Sequence, residues 1–371
     1  MKKLSLLLLF SILISFVLQA QNLNESPRDT ILDQSLLEPV SDTLPNINIF
    51  GEDKPLNIKL TYDITDFMKT KKEGKYLDAV FQIDYSDEVT ITKNIRLKAR
   101  GNFRRGQCMF PPIYLNFKTD PFENNELEGI KKVKLVTHCS STKSSESYIL
   151  KEYLAYKMYN VLSPYSFRVR LCKIQYIDNG KKERNYETLG FIIEPEELLS
   201  TRTQSVEIDS KLMNEQNVIE SDADRVALFQ YMIGNTDWKF KGGHNTKCVK
   251  SLQDVTSKII PVPYDFDFSG FVHTGYSFPQ SWTSIEKVTD REYTGYCRNS
   301  DAEYRENINF FLDKKAEVLS TIENDTYLDE KVKKSALQFI DGFYSEISDT
   351  DRFIRKLKNE CRNDASMRQD Q

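Results

Sequence analysis

The chain has 371 residues, of which 39% are hydrophobic and 12% aromatic. That is enough apolar material for one large domain or two modest ones, and it excludes wholesale disorder. The 51 Lys and Arg residues stand against 55 Asp and Glu residues, which gives a formal net charge of −4. Because this balance is mildly acidic, we expect no nucleic acid partner.

The first 20 residues have the pattern of a secretory signal peptide. Lys2 and Lys3 precede an apolar run, residues 4–18, and a small residue, Ala20, marks the expected cleavage point. The run is shorter than the ~20 residues that a bilayer span needs, so no transmembrane anchor is expected after cleavage. The pattern therefore predicts an exported protein, either periplasmic or extracellular and at the cell surface.

The rest of the chain begins with a lead-in and a run of predicted strands. Residues 21–50 are polar, contain three prolines and lack periodicity, which predicts a disordered linker. Alternation of apolar and polar residues then predicts seven strands, interrupted after the fifth by a helix at about 145–160. These strands span residues 56–62, 79–85, 95–100, 113–117, 132–136, 167–176 and 188–193.

Helical periodicity dominates the second half of the chain. It predicts a helix at 223–233 and two or three amphipathic helices from about residue 302 onward. The predicted fold class is therefore α+β, protein-kinase-like in its order of elements, with a strand-rich N-terminal lobe and a helical C-terminal lobe. We place the lobes at 51–195 and 196–362, followed by a frayed tail at 363–371.

Six cysteines are scattered along the chain without Cys-x-x-Cys spacing. In an oxidising compartment an even number permits disulfides, but their connectivity does not follow from the sequence. Buried thiols are an equally good interpretation. The cysteines are Cys108, Cys139, Cys172, Cys248, Cys297 and Cys361.

The most informative stretch runs from Asn235 to Gly270, where Asp and Asn residues flank a predicted hairpin. The two strands of the hairpin lie within residues 246–262 and are joined by a polar turn. Such a hairpin carries Asn245 at its start and brings Asp265 back beside it, close to Asp237. The stretch therefore predicts one cluster of Asp237, Asn245 and Asp265.

This combination of residue types suits phosphoryl transfer. Asp237 is the predicted base that accepts the proton of an attacking hydroxyl, and Asn245 and Asp265 are predicted to hold Mg²⁺ or Mn²⁺ against the phosphates of ATP. Asp267 is assigned to the same metal, because two carboxylates among aromatic residues are costly to bury without a cation. Since Asp and Asn are also common in turns, a structural role and a Ca²⁺ site stay open.

The strand-rich lobe supplies candidates for orienting a nucleotide. In the protein-kinase plan a Gly-containing loop covers the phosphates, and a strand lysine forms an ion pair with a glutamate of the next helix. Here the loop is Gly101–Gly106, which carries Arg104 and a second arginine; the lysine is Lys134 and the glutamate is Glu152. Lys118 is the competing lysine, and solvent-exposed, non-catalytic roles are the plain alternative.

Several of these peptides together resemble the spore-coat protein H (CotH) kinase-like family, over roughly residues 95–270. The resemblance implies an atypical protein-kinase-like fold, whose active members are exported enzymes that use ATP and a divalent metal to phosphorylate proteins. The peptides that carry it are Arg100-Gly101-Asn102, the Lys134 strand, Ile149-Leu150-Lys151-Glu152-Tyr153-Leu154-Ala155, His244-Asn245 and Pro263-Tyr264-Asp265-Phe266-Asp267.

The resemblance also assigns roles to individual residues. It implies that Asp237 is the catalytic aspartate and Asp265 the metal-binding aspartate. Arg100 and Gly101 would belong to the nucleotide-binding loop, and Glu194, before Pro195, would lie at the hinge beside the adenine. This chain departs from the family pattern after Asn102, where Phe and two Arg stand in place of the usual Ser or Thr.

Three functions follow as hypotheses. The leading one is an exported kinase that transfers the γ-phosphoryl group of ATP to a protein or an envelope-associated hydroxyl. The alternative is a non-catalytic kinase-like protein that binds or assembles partners at the cell surface, where ATP is expected to be scarce. The third is a metal-dependent hydrolase using Asp265, Asp267 and His244. No zinc site is expected, because the three histidines are far apart in sequence and no His-x-x-x-His or Cys-x-x-Cys pairing supports one.

Overall fold

The computed structural model describes residues 48–86, 89–123, 125–140, 142–254 and 258–363. The predicted signal peptide, nearly all of the predicted linker and all but one residue of the predicted tail lie outside these ranges. The described part has a mixed α+β architecture, as the two kinds of periodicity predict. None of its helices has both the length and the apolar composition needed to cross a bilayer.

Seven strands close into a barrel. They span Leu56–Tyr62 (β1), Leu77–Asp84 (β2), Thr90–Ala99 (β3), Ile113–Asn116 (β4), Lys132–Val136 (β5), Val169–Asp178 (β6) and Tyr186–Ile193 (β7). The order around the barrel is β1-β2-β3-β4-β5-β7-β6, and the parallel pairing of β1 with β6 closes it. The predicted strands are all present, but their alternation did not reveal the closure, which depends on pairing between strands far apart in sequence.

Alternation along the strands fills the barrel. On β1 the side chains of Leu56, Ile58 and Leu60 are buried inside, while the residues between them are more exposed. On β3, Ile95 and Leu97 are buried in the same way. Burial of these apolar side chains is the main stabilising contribution of the barrel, and it leaves the intervening side chains on the outer face.

α-Helices interrupt the run of barrel strands and predominate after it. They span Ile64–Thr70 (α1), Phe103–Gln107 (α2), Lys143–Leu162 (α3), Glu196–Arg202 (α4), Glu220–Met232 (α5), Asp301–Asp313 (α6), Lys315–Glu323 (α7), Glu330–Ser348 (α8) and Thr350–Glu360 (α9). α3 packs against β6, β7 and α7 and shares a second hydrophobic core with α5 and the C-terminal helices.

Three sequence predictions are corrected here. The predicted Gly101–Gly106 loop is largely taken up by the short helix α2, and four helices rather than two or three follow residue 300 within the described residues. The linker predicted at 21–50 extends too far, because Ile49 and Phe50 are buried against the barrel. The backbone oxygen of Ile49 also accepts a hydrogen bond from Arg170, at 3.0 Å. The lobe boundary at residue 195 stays a prediction.

A small second sheet carries the predicted hairpin. Its strands are Ser205–Ile208 (β8), Thr246–Ser251 (β9) and Ile260–Pro263 (β10), in the order β10-β9-β8. β9 and β10 are antiparallel, and the first residue of β9, Thr246, pairs with the last residue of β10, Pro263. The chain therefore enters and leaves the hairpin at the same end.

The cysteines divide between the two interpretations that the sequence left open. Cys108 is bonded to Cys139, and Cys297 is bonded to Cys361. Cys172 and Cys248 are buried free thiols. The first disulfide joins the end of α2 to the segment between β5 and α3, and the second joins the last helix to the segment before α6.

Buried His138, next to the first disulfide, gives the fold a predicted pH dependence. Its ring stacks on Phe110, with 4.7 Å between ring centroids, and its Nδ1 is buried without a hydrogen-bond partner. Burial, assisted by the charge of Arg104, lowers the pKa of His138 from 6.5 to about 4. Because the unfolded chain then takes up a proton more readily, stability is lost as the pH falls from 6.5 towards 4.

We expect this loss to reach about 3 kcal/mol of unfolding free energy at pH 4. Denaturant titrations from pH 7 to pH 4 measure it, and His138→Phe should remove this component of the pH dependence. His273→Gln serves as the control, because His273 is exposed. An identical pH profile in wild type and His138→Phe would show that the assignment is wrong.

Candidate functional site

The hairpin places Asn245 and Asp265 side by side. Asn245 directly precedes β9, and one residue, Tyr264, separates the end of β10 from Asp265. The backbone N–H of Tyr264 donates to the carbonyl oxygen of Asn245 at 3.1 Å. Asn245 and Asp265 have φ angles of 50° and 66°. This left-handed conformation is uncommon for residues other than glycine and is concentrated at functional sites and turns.

Asp237 is held against Asn245 by direct hydrogen bonds. The side-chain Nδ2 of Asn245 donates to the carbonyl oxygen of Asp237 at 2.7 Å and to its Oδ2 at 3.0 Å. The backbone N–H of Asp237 donates to Asn235 Oδ1 at 3.0 Å. Gly242 and Gly243, with φ of 81° and 66°, form the tight turn that brings Asn245 back to Asp237. The three residues that the sequence predicts to cluster therefore lie together.

His244 is a partner of Asp237 that the sequence analysis considered only for a hydrolase and not for the kinase site. Its Nε2 lies 2.8 Å from Asp237 Oδ1, so both carboxylate oxygens of Asp237 have hydrogen-bond partners. The hydrogen bond to Asp237 raises the pKa of His244 and outweighs the opposing effect of burial. The position of His244 directly before Asn245 was the sequence signal that could have identified it.

Asp267 is buried behind Asp265. The hydroxyl of Tyr276 donates to Asp267 Oδ2 at 2.9 Å. Burial, followed by the negative charge of Asp265, raises the pKa of Asp267 to about 7, although Arg104 and Tyr276 oppose the shift. Burial first, and then the neighbouring carboxylate of Asp265, therefore disfavour the charged form of Asp267.

The cation that faces Glu152 is Arg104, not Lys134. Glu152, on α3, is 2% exposed, and Arg104, on α2, is 7% exposed. Arg104 Nη1 lies 3.5 Å from Glu152 Oε2 and 3.9 Å from Asp267 Oδ2, and Nη2 donates to the carbonyl oxygen of Thr137 at 2.7 Å. The predicted ion pair between Lys134 and Glu152 is thus corrected: an arginine of the supposed phosphate loop takes that place.

Lys134 forms its ion pair with Glu196. The two charged groups are 2.9 Å apart, and Lys247 of β9 lies 3.1 Å from the other oxygen of Glu196. The reason is the register of the barrel: Lys134 pairs with Ile193 of β7, so the start of α4 lies beside it. Burial would raise the pKa of Glu196, but the two lysines together lower it to about 2.

Glu194 does not extend into the cleft. Its carboxylate is fully buried and accepts hydrogen bonds from Arg168 at 2.8 and 3.0 Å and from Arg202 at 2.9 and 3.1 Å. The predicted position of this side chain beside an adenine is therefore corrected, because two arginines enclose it. Its neighbours Pro195 and Glu196 line the cleft instead.

A cleft of about 660 Å³ lies between the barrel and the hairpin. This volume is in the range of small-molecule sites. Among the residues assigned from sequence, five line it, whereas Asp237, Glu152, Glu194 and Asp267 lie outside its lining. The five are Arg100, Gly101, Lys134, Asn245 and Asp265.

The residues around Asp265 fit a divalent cation bound together with phosphate. Burial raises the pKa of Glu152 well above its ordinary range, and the charges of Asp267 and Asp265 add to that effect while Arg104 opposes it. An added cation would relieve this crowding. In the described ranges no three His, Cys, Asp or Glu residues form a metal-binding group. A cation here would therefore need the amide oxygen of Asn245 and oxygens of a bound ligand, which is how Mg²⁺ is usually held.

Comparisons with known proteins add a distant structural likeness. No protein-family model matches this sequence, and no curated protein matches it. The chain is similar to the crystal structure of a Helicobacter pylori proinflammatory kinase, CtkA, with a TM-score of 0.38 and 13% identity, over 71% of this chain and 94% of that one. A likeness of this size carries no functional argument, so function has to be argued from the residues of the site.

Proposed function

We propose that this protein is an exported kinase that transfers the γ-phosphoryl group of ATP to a hydroxyl of a protein or envelope-associated acceptor. One observation carries the proposal. Asp237, Asn245 and Asp265 meet at the end of one hairpin, beside a cleft that Arg100 and Lys134 also line. A base, a metal-binding pair and phosphate-binding cations are the parts that phosphoryl transfer requires.

Asp237 accepts the proton of the attacking hydroxyl. His244 and Asn245 fix its carboxylate through hydrogen bonds of 2.8 and 3.0 Å, so the orientation of the base does not depend on the acceptor. A fixed base within hydrogen-bond reach of the hydroxyl contributes about 10²–10⁴-fold to rate.

Asn245 and Asp265 hold the divalent cation, with Asp267 behind them. Because Nδ2 of Asn245 is engaged by Asp237, its Oδ1 is the atom left for a metal. Mg²⁺ or Mn²⁺, when bound, neutralises phosphate charge and polarises the γ-phosphoryl group. The positive charge of Arg104 offsets the negative charges of the buried carboxylates Glu152 and Asp267, which lie 3.5 and 3.9 Å from its Nη1.

Arg100 and Lys134 bind the nucleotide phosphates. Both line the cleft, and Glu196 fixes the ammonium group of Lys134 by an ion pair at 2.9 Å. Gly101, with φ of 81°, allows the backbone to turn next to the phosphates without a side chain in the way. Export is supported by the signal-peptide pattern of residues 1–20 and by two disulfides, which form in oxidising compartments.

A thermal-shift titration with nucleotide tests the binding part of this proposal. We expect ATP with Mn²⁺ to raise the midpoint of unfolding by several degrees, since a ligand at ~100 times its dissociation constant adds roughly 2.7 kcal/mol of stability. EDTA should abolish the shift, and Lys134→Met should weaken it. No shift with ATP and Mn²⁺ would contradict the proposal. A shift without any transfer of labelled phosphate would favour the non-catalytic alternative, and release of phosphate from a phosphoester without nucleotide would favour a hydrolase.

A further inference from the structure

Five cationic side chains cover the outer face of the barrel next to the cleft. Arg96 and Lys98 belong to β3, Arg100 follows it, and Lys132 and Lys134 belong to β5. We call these five residues the basic face. They alternate with side chains buried inside the barrel, so they all lie on the same outer face of the sheet.

Two tyrosines hold the basic face in place. The ring centroid of Tyr76 is 4.7 Å from Lys98 Nζ and 5.4 Å from Arg96 Cζ. Tyr114 of β4 pairs in register with Lys98 on one side and with Lys134 on the other, and Arg100 Cζ lies 5.5 Å from its ring. Cations over aromatic rings are attracted to them, which orders the side chains along the sheet.

Carboxylates do little to neutralise the basic face. Lys134 is paired with Glu196, but the other four cations form no ion pair in the part of the chain that the structure describes. Asp78 lies opposite Arg96 in the register of β2 and β3, without forming an ion pair with it. Like charges clustered on one face repel one another, and a bound anionic partner would relieve that repulsion.

We infer that the basic face docks an extended acidic segment of the acceptor protein whose hydroxyl enters the cleft, an inference that rests on the proposed function. Arg96 and Lys98 of β3 and Arg100 directly after it occupy every second position, so in extended backbone they repeat at roughly 6.6–6.8 Å. Acidic residues at alternate positions of an extended peptide repeat at the same distance.

The face is also continuous with the cleft. Arg100, Lys132 and Lys134 line the cleft, whereas Arg96 and Lys98 continue beyond it. An acceptor held along β3 is therefore led towards Asp265 and Asn245. A nucleic acid is disfavoured as the occupant, because the chain as a whole has a net negative charge, and it becomes an outcome of the test.

Fluorescence anisotropy on the full chain without nucleotide tests the inference. The probe is a labelled peptide of alternating Glu and Ser. One comparison peptide has the same composition but with its Glu residues in one block, and a dT oligonucleotide of equal charge is the other comparison. We expect the alternating peptide to bind most tightly of the three, and its affinity to fall as ionic strength rises.

Variants then locate the contact. Arg96→Gln/Lys98→Gln should weaken binding of the alternating peptide about tenfold, as expected for two exposed charge contacts. Lys331→Gln/Lys334→Gln, on an exposed part of α8, makes the same change in net charge and should leave the affinity within about twofold. Circular dichroism checks that both variants are folded.

Three results would overturn the inference: equal affinity in the Arg96/Lys98 variant and wild type, preference for the oligonucleotide, or no preference for the alternating peptide over the block peptide. Failure of the proposed function is distinguishable, because the assay needs neither ATP nor metal. If the peptide bound tightly and with the expected dependence on spacing, but the protein transferred no phosphate, the docking inference would stand and the proposed kinase activity would be wrong.

Discussion

Replacing Asp237 or Asp265 by Asn is expected to abolish phosphoryl transfer and leave the fold intact. Asn at position 237 keeps the shape of the side chain and can still bond to His244 and Asn245, but it cannot accept the proton of a hydroxyl. We expect transfer to fall about 10³-fold, within the range of general-base catalysis. Asp265→Asn removes the charge that holds the divalent cation, and the loss should be at least as large.

The measurement is transfer of labelled γ-phosphate from ATP in the presence of Mn²⁺, with thermal unfolding as the check on folding. Asp313→Asn is the matched control, because Asp313 is an exposed aspartate at the end of α6. Its activity should equal that of wild type. If the Asp237 and Asp265 variants retained wild-type transfer, the site assigned here would not be where the chemistry occurs.

Removal of Arg104 is expected to have the largest effect on stability. Its guanidinium group lies between the buried carboxylates of Glu152 and Asp267 and also donates to Thr137. Arg104→Met leaves those carboxylates buried without their cation, and we expect a loss of about 3 kcal/mol of unfolding free energy at pH 8. The loss should be smaller at pH 5, because Asp267, whose pKa burial and the charge of Asp265 raise to about 7, then takes up a proton.

Denaturant titrations at the two pH values measure this loss. Arg105→Met changes the neighbouring, less buried arginine of the same helix and should cost about 0.5 kcal/mol or less. The double variant Arg104→Met/Glu152→Leu should recover part of the loss, because Asp267 is then the only one of the two carboxylates left without the cation. A loss in Arg104→Met that is independent of pH and unrelieved in the double variant would indicate packing rather than charge balance.

Much of the fold was predictable from local patterns. Alternation identified β1 and β5 at the residues where the structure has them, because each strand of the barrel buries one face. The hairpin was predictable for the same reason, and with it the proximity of Asn245 and Asp265. The α3 helix was also recovered, although its interior carries a buried glutamate.

The partners of the charged residues were not predictable from order along the chain. Arg104, Glu196 and His244 were the residues that sequence reasoning missed as partners of Glu152, Lys134 and Asp237. Each of these contacts depends on which strands and helices pack together in the folded chain. Lys134 reaches Glu196 because β5 pairs with β7, and α4 begins just after β7. Arg104 reaches Glu152 because α2 contacts Thr137, which lies between β5 and the helix that carries Glu152.

The sequence by itself therefore determined the seven barrel strands, the α3 and α5 helices and the meeting of Asp and Asn residues at one hairpin end, because short-range periodicity and a single turn specify these features. Tertiary structure alone decided the closure of the barrel, the disulfide pairs and the cation that faces each buried carboxylate. Those features depend on contacts between residues distant in sequence, where the free energy of the whole packed arrangement, rather than any local pattern, selects the partner.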